Sequence, residues 1–137
     1  MQDLLRPQLD IKRVNGLSAL ALAHIGDGVF ELMVRTCLCL KGDSTNRRLH
    51  RDTVAMVCAI SQAKYIRLLL PHLSEEEQGF YRRGRNSHSH AAPKNVSPAD
   101  YAKATGFETL YGALYLLGRQ ERLQELTLKI LEEENAL

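Results

Sequence analysis

LSALALAHIGDGVFELMVRTCLCL, residues 17–40, decides the fold. Its apolar residues return with helical rather than alternating spacing, and Leu17, Leu20, Ala21, Ile25, Val29, Leu32, Met33 and Leu40 are expected to form one broad buried face. Ser18 stands where a helix cap is needed. The turn KGDSTNRR (41–48) follows, with Gly42, Asp43 and Ser44 as breakers. Inside this apolar helix sits one misplaced residue, Asp27, between Gly26 and Gly28. Each interior glycine costs up to about 1 kcal/mol relative to alanine, and aspartate is a poor helix former. A helix written for stability alone avoids IGDGVF. The small neighbours allow a metal ion or another backbone to approach Asp27 closely. An aspartate that caps a neighbouring helix or pairs with an arginine is the other reading.

Working outward, residues 1–14 form an extended lead-in, with Pro7 preventing a continuous helix. A second helix is expected from about Thr45 to Leu70, ended by Pro71. Ser74 and Glu77 have capping-box spacing and open a short helix, SEEEQGFYRRGR (74–85). A polar loop, NSHSHAAPKNVS (86–97), precedes Pro98, which suits the first turn of the next helix, closed at Gly118. The last helix is RQERLQELTLKILEEEN (119–135). No segment alternates with period two and no repeat is present. The expected fold is all-α: one domain over residues 1–137, with no separate RNA-binding module.

Glu108 repeats the oddity of Asp27. It lies in TGFETLYGALYLLG (105–118), among Phe107, Leu110, Tyr111, Leu114 and Tyr115, with Gly106 and Gly112 on either side. Alone it reads as a glutamate on a helix edge. If the two helices pack side by side, two carboxylates converge. Converging oxygens without histidine or cysteine suit Mg²⁺, with Mn²⁺ as a substitute, rather than zinc.

The bulk numbers exclude more than they identify. The chain has 137 residues, 25% charged, with a formal net charge of +2. Positive charge gathers mid-chain at Arg35, Lys41, Arg47, Arg48, Arg51, Arg82, Arg83, Arg85 and Lys94, and negative charge gathers near the C-terminus. A near-neutral total therefore hides a basic region. No apolar stretch approaches the roughly 20 residues of a membrane span, and the N-terminal sequence has no secretory pattern. Cys37, Cys39 and Cys58 do not make a disulfide framework, and are expected as buried small hydrophobes in a reduced, cytoplasmic protein.

Three stretches in register carry a resemblance. LALAHIGDGVFELMVR (20–35) resembles the signature helix of the ribonuclease III family, and TGFETLYGALYLLGR (105–119) its second acidic helix, which reads F-E-x-L-x-G-x-x-Y. RRGRNSHSHAAPKN (82–95) resembles the R-G-R-N loop of the Mini-ribonuclease III branch, which lacks a double-stranded-RNA-binding domain. The resemblance spans nearly the whole chain. It implies a metal-dependent hydrolysis of phosphodiester bonds in duplex RNA by a homodimer, one site per strand. For this branch it also implies precursor 23S ribosomal RNA as substrate, with a ribosomal protein as a possible accessory.

The family site has four acids. Here Ala23 and Thr105 replace two of them, as in the Mini branch, leaving Asp27 and Glu108 as catalytic and metal-binding residues. Glu31, one turn beyond Asp27, and Thr105 are candidates for supporting positions. Arg82, Arg83, Arg85, Asn86 and Lys94 are candidates for RNA phosphates, since arginine forks suit phosphate oxygens; Arg47, Arg48 and Arg51 are weaker ones. His88 and His90 are expected as exposed loop residues, and the aromatic residues of the last helices as core. Two rivals remain open: a non-catalytic duplex-RNA-binding protein on the same fold, and a helical protein-interaction module.

Overall fold

A computed structural model describes residues 2–42, 44–87 and 91–136, and every described element is helical. The elements are α1 (Ile11–Asn15), α2 (Ala19–Leu40), α3 (Asn46–Val57), α4 (Ala59–Leu69), α5 (Glu75–Arg85), α6 (Pro98–Leu116) and α7 (Gln120–Glu133), with a 3₁₀ turn at Leu70–His72. No single helix among the described residues is long and apolar enough to cross a membrane.

Helix α6 is the axis of the molecule. It is buried nearly all round, from Ala104 through Leu116, as expected of a helix apolar on every side. Helices α2, α4, α5 and α7 pack around it. Phe30 of α2 meets Phe107 and Tyr111 of α6 edge-on at 4.9 and 5.5 Å, and Tyr65 of α4 at 6.1 Å. Tyr111 closes the cluster by sharing a 2.8 Å hydrogen bond with Thr127 of α7. The aromatic residues Phe107 and Tyr111 are thus core, as the sequence indicates.

The caps read from sequence are present. The Ser18, Ser74 and Ser97 hydroxyls accept from the N–H groups of Ala21, Glu77 and Asp100 at 3.0–3.1 Å. Glu77 completes its capping box by accepting from Ser74 N–H at 2.8 Å. It is also buried and takes a two-point ion pair from Arg122 at 2.8 and 2.9 Å, which ties α5 to α7.

Four expectations are corrected. The segment expected to be extended contains α1, capped by Asp10, whose carboxylate accepts from Arg13 N–H at 2.8 Å. The helix expected from Thr45 to Leu70 is two helices bent by 52°, because Cys58 adopts an extended conformation between them. Ser61 bridges that break, its hydroxyl donating to the Ala55 carbonyl at 2.6 Å. The buried stripe of α2 is Leu22, Ala23, Gly26, Phe30 and Val34, while Leu20, Leu32 and Leu40 are exposed. A helix apolar on most sides offers more than one plausible stripe, and the contact with α6 selects the one carrying glycine. Finally, Cys39 and Cys58 are exposed rather than buried, and Cys37 is half-buried.

Candidate active site

Two glycines create the site. At the α2–α6 crossing, a Cβ on Gly26 would lie 1.8 Å from the Glu108 carbonyl oxygen, and one on Gly112 would lie 1.9 Å from that of Leu22. Only glycine at both positions permits this backbone-to-backbone approach. The approach puts Asp27, the next residue on α2, alongside Glu108 on α6. Of the two possibilities for the small neighbours of Asp27, Gly26 therefore serves the approach of another backbone. Gly28 has open space where a side chain would stand.

The two acids occupy unequal environments. Asp27 is exposed and makes no ion pair among the described residues; Glu108 is half-buried. Burial first, then the hydrogen bond and negative charge of Asp27, push the Glu108 carboxyl from an ordinary 4.5 up to about 8. Gln62 of α4 opposes this from the buried side. Two acids this close resist simultaneous ionisation, and it is Glu108 whose neutral form is favoured. Among the described residues no cluster of three or more His, Cys, Asp or Glu is present, so the pair stands without a further acid. Hard carboxylate oxygens, one set reaching solvent and one set in from it, fit a divalent cation that keeps most of its waters.

The remaining predicted residues divide. Glu31 pairs with Arg35 at 3.1 Å along the surface of α2. Thr105 turns its hydroxyl to its own helix, donating to the Tyr101 carbonyl at 3.1 Å. Arg82, Arg83 and Arg85 lie in the last turn of α5, and Asn86 caps it. That end packs against α6 at Gly106 and Thr109, since a Cβ on Gly84 would lie 2.1 Å from Thr109 Oγ1. Arg82, Arg85, Asn86 and Lys94 are exposed. Arg83 differs: its Nη2 donates to the Leu17 carbonyl at 2.7 Å, pinning α5 to the start of α2. Arg85 rests over the Tyr81 ring, 5.5 Å from its centroid, and its Nε donates to Asn86 Oδ1 at 3.3 Å. His88 and His90 lie outside the described residues.

Sequence reasoning missed Gln62. It is a glutamine one turn before Tyr65 and Ile66 and two turns before Leu69, hence on the buried face of α4. A long polar side chain in that phase is the signal that was available.

Residues 20–119 match the ribonuclease III domain. The chain is similar to proteins named Mini-ribonuclease 3 from several bacteria. That of Symbiobacterium thermophilum is 46% identical over 110 residues, 80% of this chain and 85% of the relative. That of Clostridium tetani is 44% identical over 118 residues, 85% of this chain and 76% of the relative. That of Thermoanaerobacter sp. is 44% identical over 123 residues, 88% of this chain and 87% of the relative. A crystal structure of a Fusobacterium nucleatum protein superposes with a TM-score of 0.79 at 28% identity, covering 85% of this chain and 90% of that one.

Proposed function

Because the chain belongs to the ribonuclease III family, we propose that it is a divalent-metal-dependent endoribonuclease that cuts double-stranded RNA, with Asp27 and Glu108 as its metal-binding, catalytic pair. The observation that carries this reading is the convergence of those two acids across the glycine-lined α2–α6 crossing. Mg²⁺ is the expected cation and Mn²⁺ a substitute. When bound, such a cation supplies neutralisation of charge on the scissile phosphate and a lowered pKa for water.

The chain's own residues supply the rest. Asp27 presents its oxygens on the exposed side, where a duplex arrives. Glu108 holds the opposite side from within the protein and gives up its proton as the site fills. Arg82, Arg85 and Lys94 contact phosphates, and Asn86 the backbone beside them; duplex RNA is recognised mainly by shape, phosphates and 2′-hydroxyls. Arg83 takes part less directly, since its Nη2 holds the Leu17 carbonyl and its Nη1 is buried. Glu31 and Thr105 support the site from neighbouring turns of α2 and α6.

Two copies acting together would place one site on each strand. The exposed leucines of α2, Leu20 and Leu32, give a homodimer apolar surface to cover. Precursor 23S ribosomal RNA in the cytoplasm, presented by a ribosomal protein, is the natural substrate that the resemblance of its sequence motifs to the Mini-ribonuclease III branch implies. A second reading, a non-catalytic duplex-RNA-binding protein, is favoured by one observation: Ala23 and Thr105 leave a two-acid site.

One experiment decides between them. Purified protein is incubated with a long RNA duplex and with single strands, in Mg²⁺ or in excess chelator. Cutting of the duplex alone, and only with metal, is the expected result. Binding of the duplex without cutting establishes the non-catalytic reading.

A further inference from the structure

Gln62 is 2% exposed in the middle of α4, which packs against α6. A buried carboxamide is costly unless its N–H groups find acceptors. Among the described residues its Nε2 has no hydrogen-bond partner. It lies within hydrogen-bonding reach of the Glu108 carboxyl, whose charged form it favours. A leucine or methionine would fill the same space without an unsatisfied donor. The amide therefore serves no packing need, and it lies beside one of the two acids of the site.

We propose that Gln62 is a positioning residue for Glu108: its Nε2–H donates to the inner oxygen of the working carboxylate and turns the other oxygen toward Asp27. The inference rests on the reading of Asp27 and Glu108 as the metal-binding pair. A carboxylate with only one hydrogen-bonded oxygen presents the second in a fixed direction. Partners that orient a metal ligand in this way are worth roughly 10- to 100-fold in affinity or activity. The position also explains why two acids can suffice. The task of the two missing acids is shared with a neutral donor that fixes Glu108 without adding negative charge to a crowded site.

The test uses Gln62→Leu, with Gln62→Met as the second, equally long replacement should the leucine variant not fold. Thermal unfolding, Mn²⁺ binding to the RNA-free protein by calorimetry, and steady-state duplex cleavage are measured for each. The expected result is a protein at least as stable as the parent, with Mn²⁺ affinity weakened roughly 10-fold or more. Its kcat falls while its KM for duplex is unchanged. A folded variant that binds Mn²⁺ and cleaves like the parent overturns the inference. So does a variant that loses stability but keeps parental Mn²⁺ affinity, since that marks Gln62 as packing alone. Asp27→Asn and Glu108→Gln are measured alongside. Parental Mn²⁺ binding by both would instead overturn the metal-pair reading itself, whatever the Gln62 variants do.

Discussion

Glu108 is a carboxyl whose environment favours its neutral form, and that has a consequence for stability. Burial and the adjacent Asp27 raise it from 4.5 to about 8. Between those two values the native protein binds more protons than the unfolded chain, so stability falls as pH rises through that window. In excess chelator, denaturation midpoints are expected to decline from pH 5 to pH 8. Glu108→Gln, which cannot ionise, should flatten the decline. Mg²⁺ should lift the parent most at the alkaline end, because cation binding selects the ionised acids and releases the proton. A parent whose chelated stability rises steadily from pH 5 to pH 8 contradicts this electrostatic picture. Both acids were legible in the sequence, because a carboxylate between glycines in an apolar helix has no stabilising reason to be there. Gln62 was legible only as a polar residue in phase with Tyr65, Ile66 and Leu69, because AISQAKYIRLL otherwise mixes polar and apolar residues as a surface helix does. Its burial depends on which face α4 turns to α6.

Helices are where glycine separates packing from function. Gly26 and Gly112 let two backbones touch, whereas Gly79, in the middle of α5, has open space where a Cβ would stand. Gly79→Ala is expected to stabilise the protein by about 1 kcal/mol through helix propensity alone. Gly26→Ala is expected to cost about 1–3 kcal/mol or more through overpacking, and to push Glu108 away from Asp27. Thermal unfolding with Mn²⁺ calorimetry checks both: the first variant should bind metal like the parent, the second should not. Equal effects of the two substitutions on metal binding would remove the crossing from the account. At this scale the sequence was an incomplete guide. Serine caps announced three helix starts, because a cap is a local interaction. The bend at Cys58 had no glycine or proline to announce it, since Ser61 and the tertiary fit of α3 and α4 hold it. The buried stripe of α2 was ambiguous for the same reason: its choice is made by α6, about 80 residues away in the chain.

Across the whole molecule, a net charge of +2 conceals a basic end of α5 packed against Gly106 and Thr109 of α6, the helix that carries Glu108. Exposed Arg82 and Arg85, with Lys94 in the loop that follows, are the proposed contacts to RNA phosphates. Duplex binding should therefore weaken steeply with salt, since each neutralised phosphate releases counterions. Replacing Arg82, Arg85 and Lys94 by alanine together should lower the slope of log affinity against log salt by roughly one unit for each phosphate no longer neutralised. Thermal stability should stay unchanged. Arg83→Ala should behave differently, losing stability as well as affinity, because its guanidinium also holds the Leu17 carbonyl. An unchanged salt slope in the triple variant would assign the RNA surface elsewhere.

The claim on which all of this depends is that Glu108 is part of the cutting machinery rather than of the fold or the RNA grip. Glu108→Gln keeps the size of the side chain and removes only its charge. The decisive measurement is cleavage of a long RNA duplex by this variant in Mg²⁺, beside its duplex affinity in chelator. The account predicts parental affinity with cleavage abolished. A glutamine variant that still cuts, faster with added Mg²⁺, would contradict it.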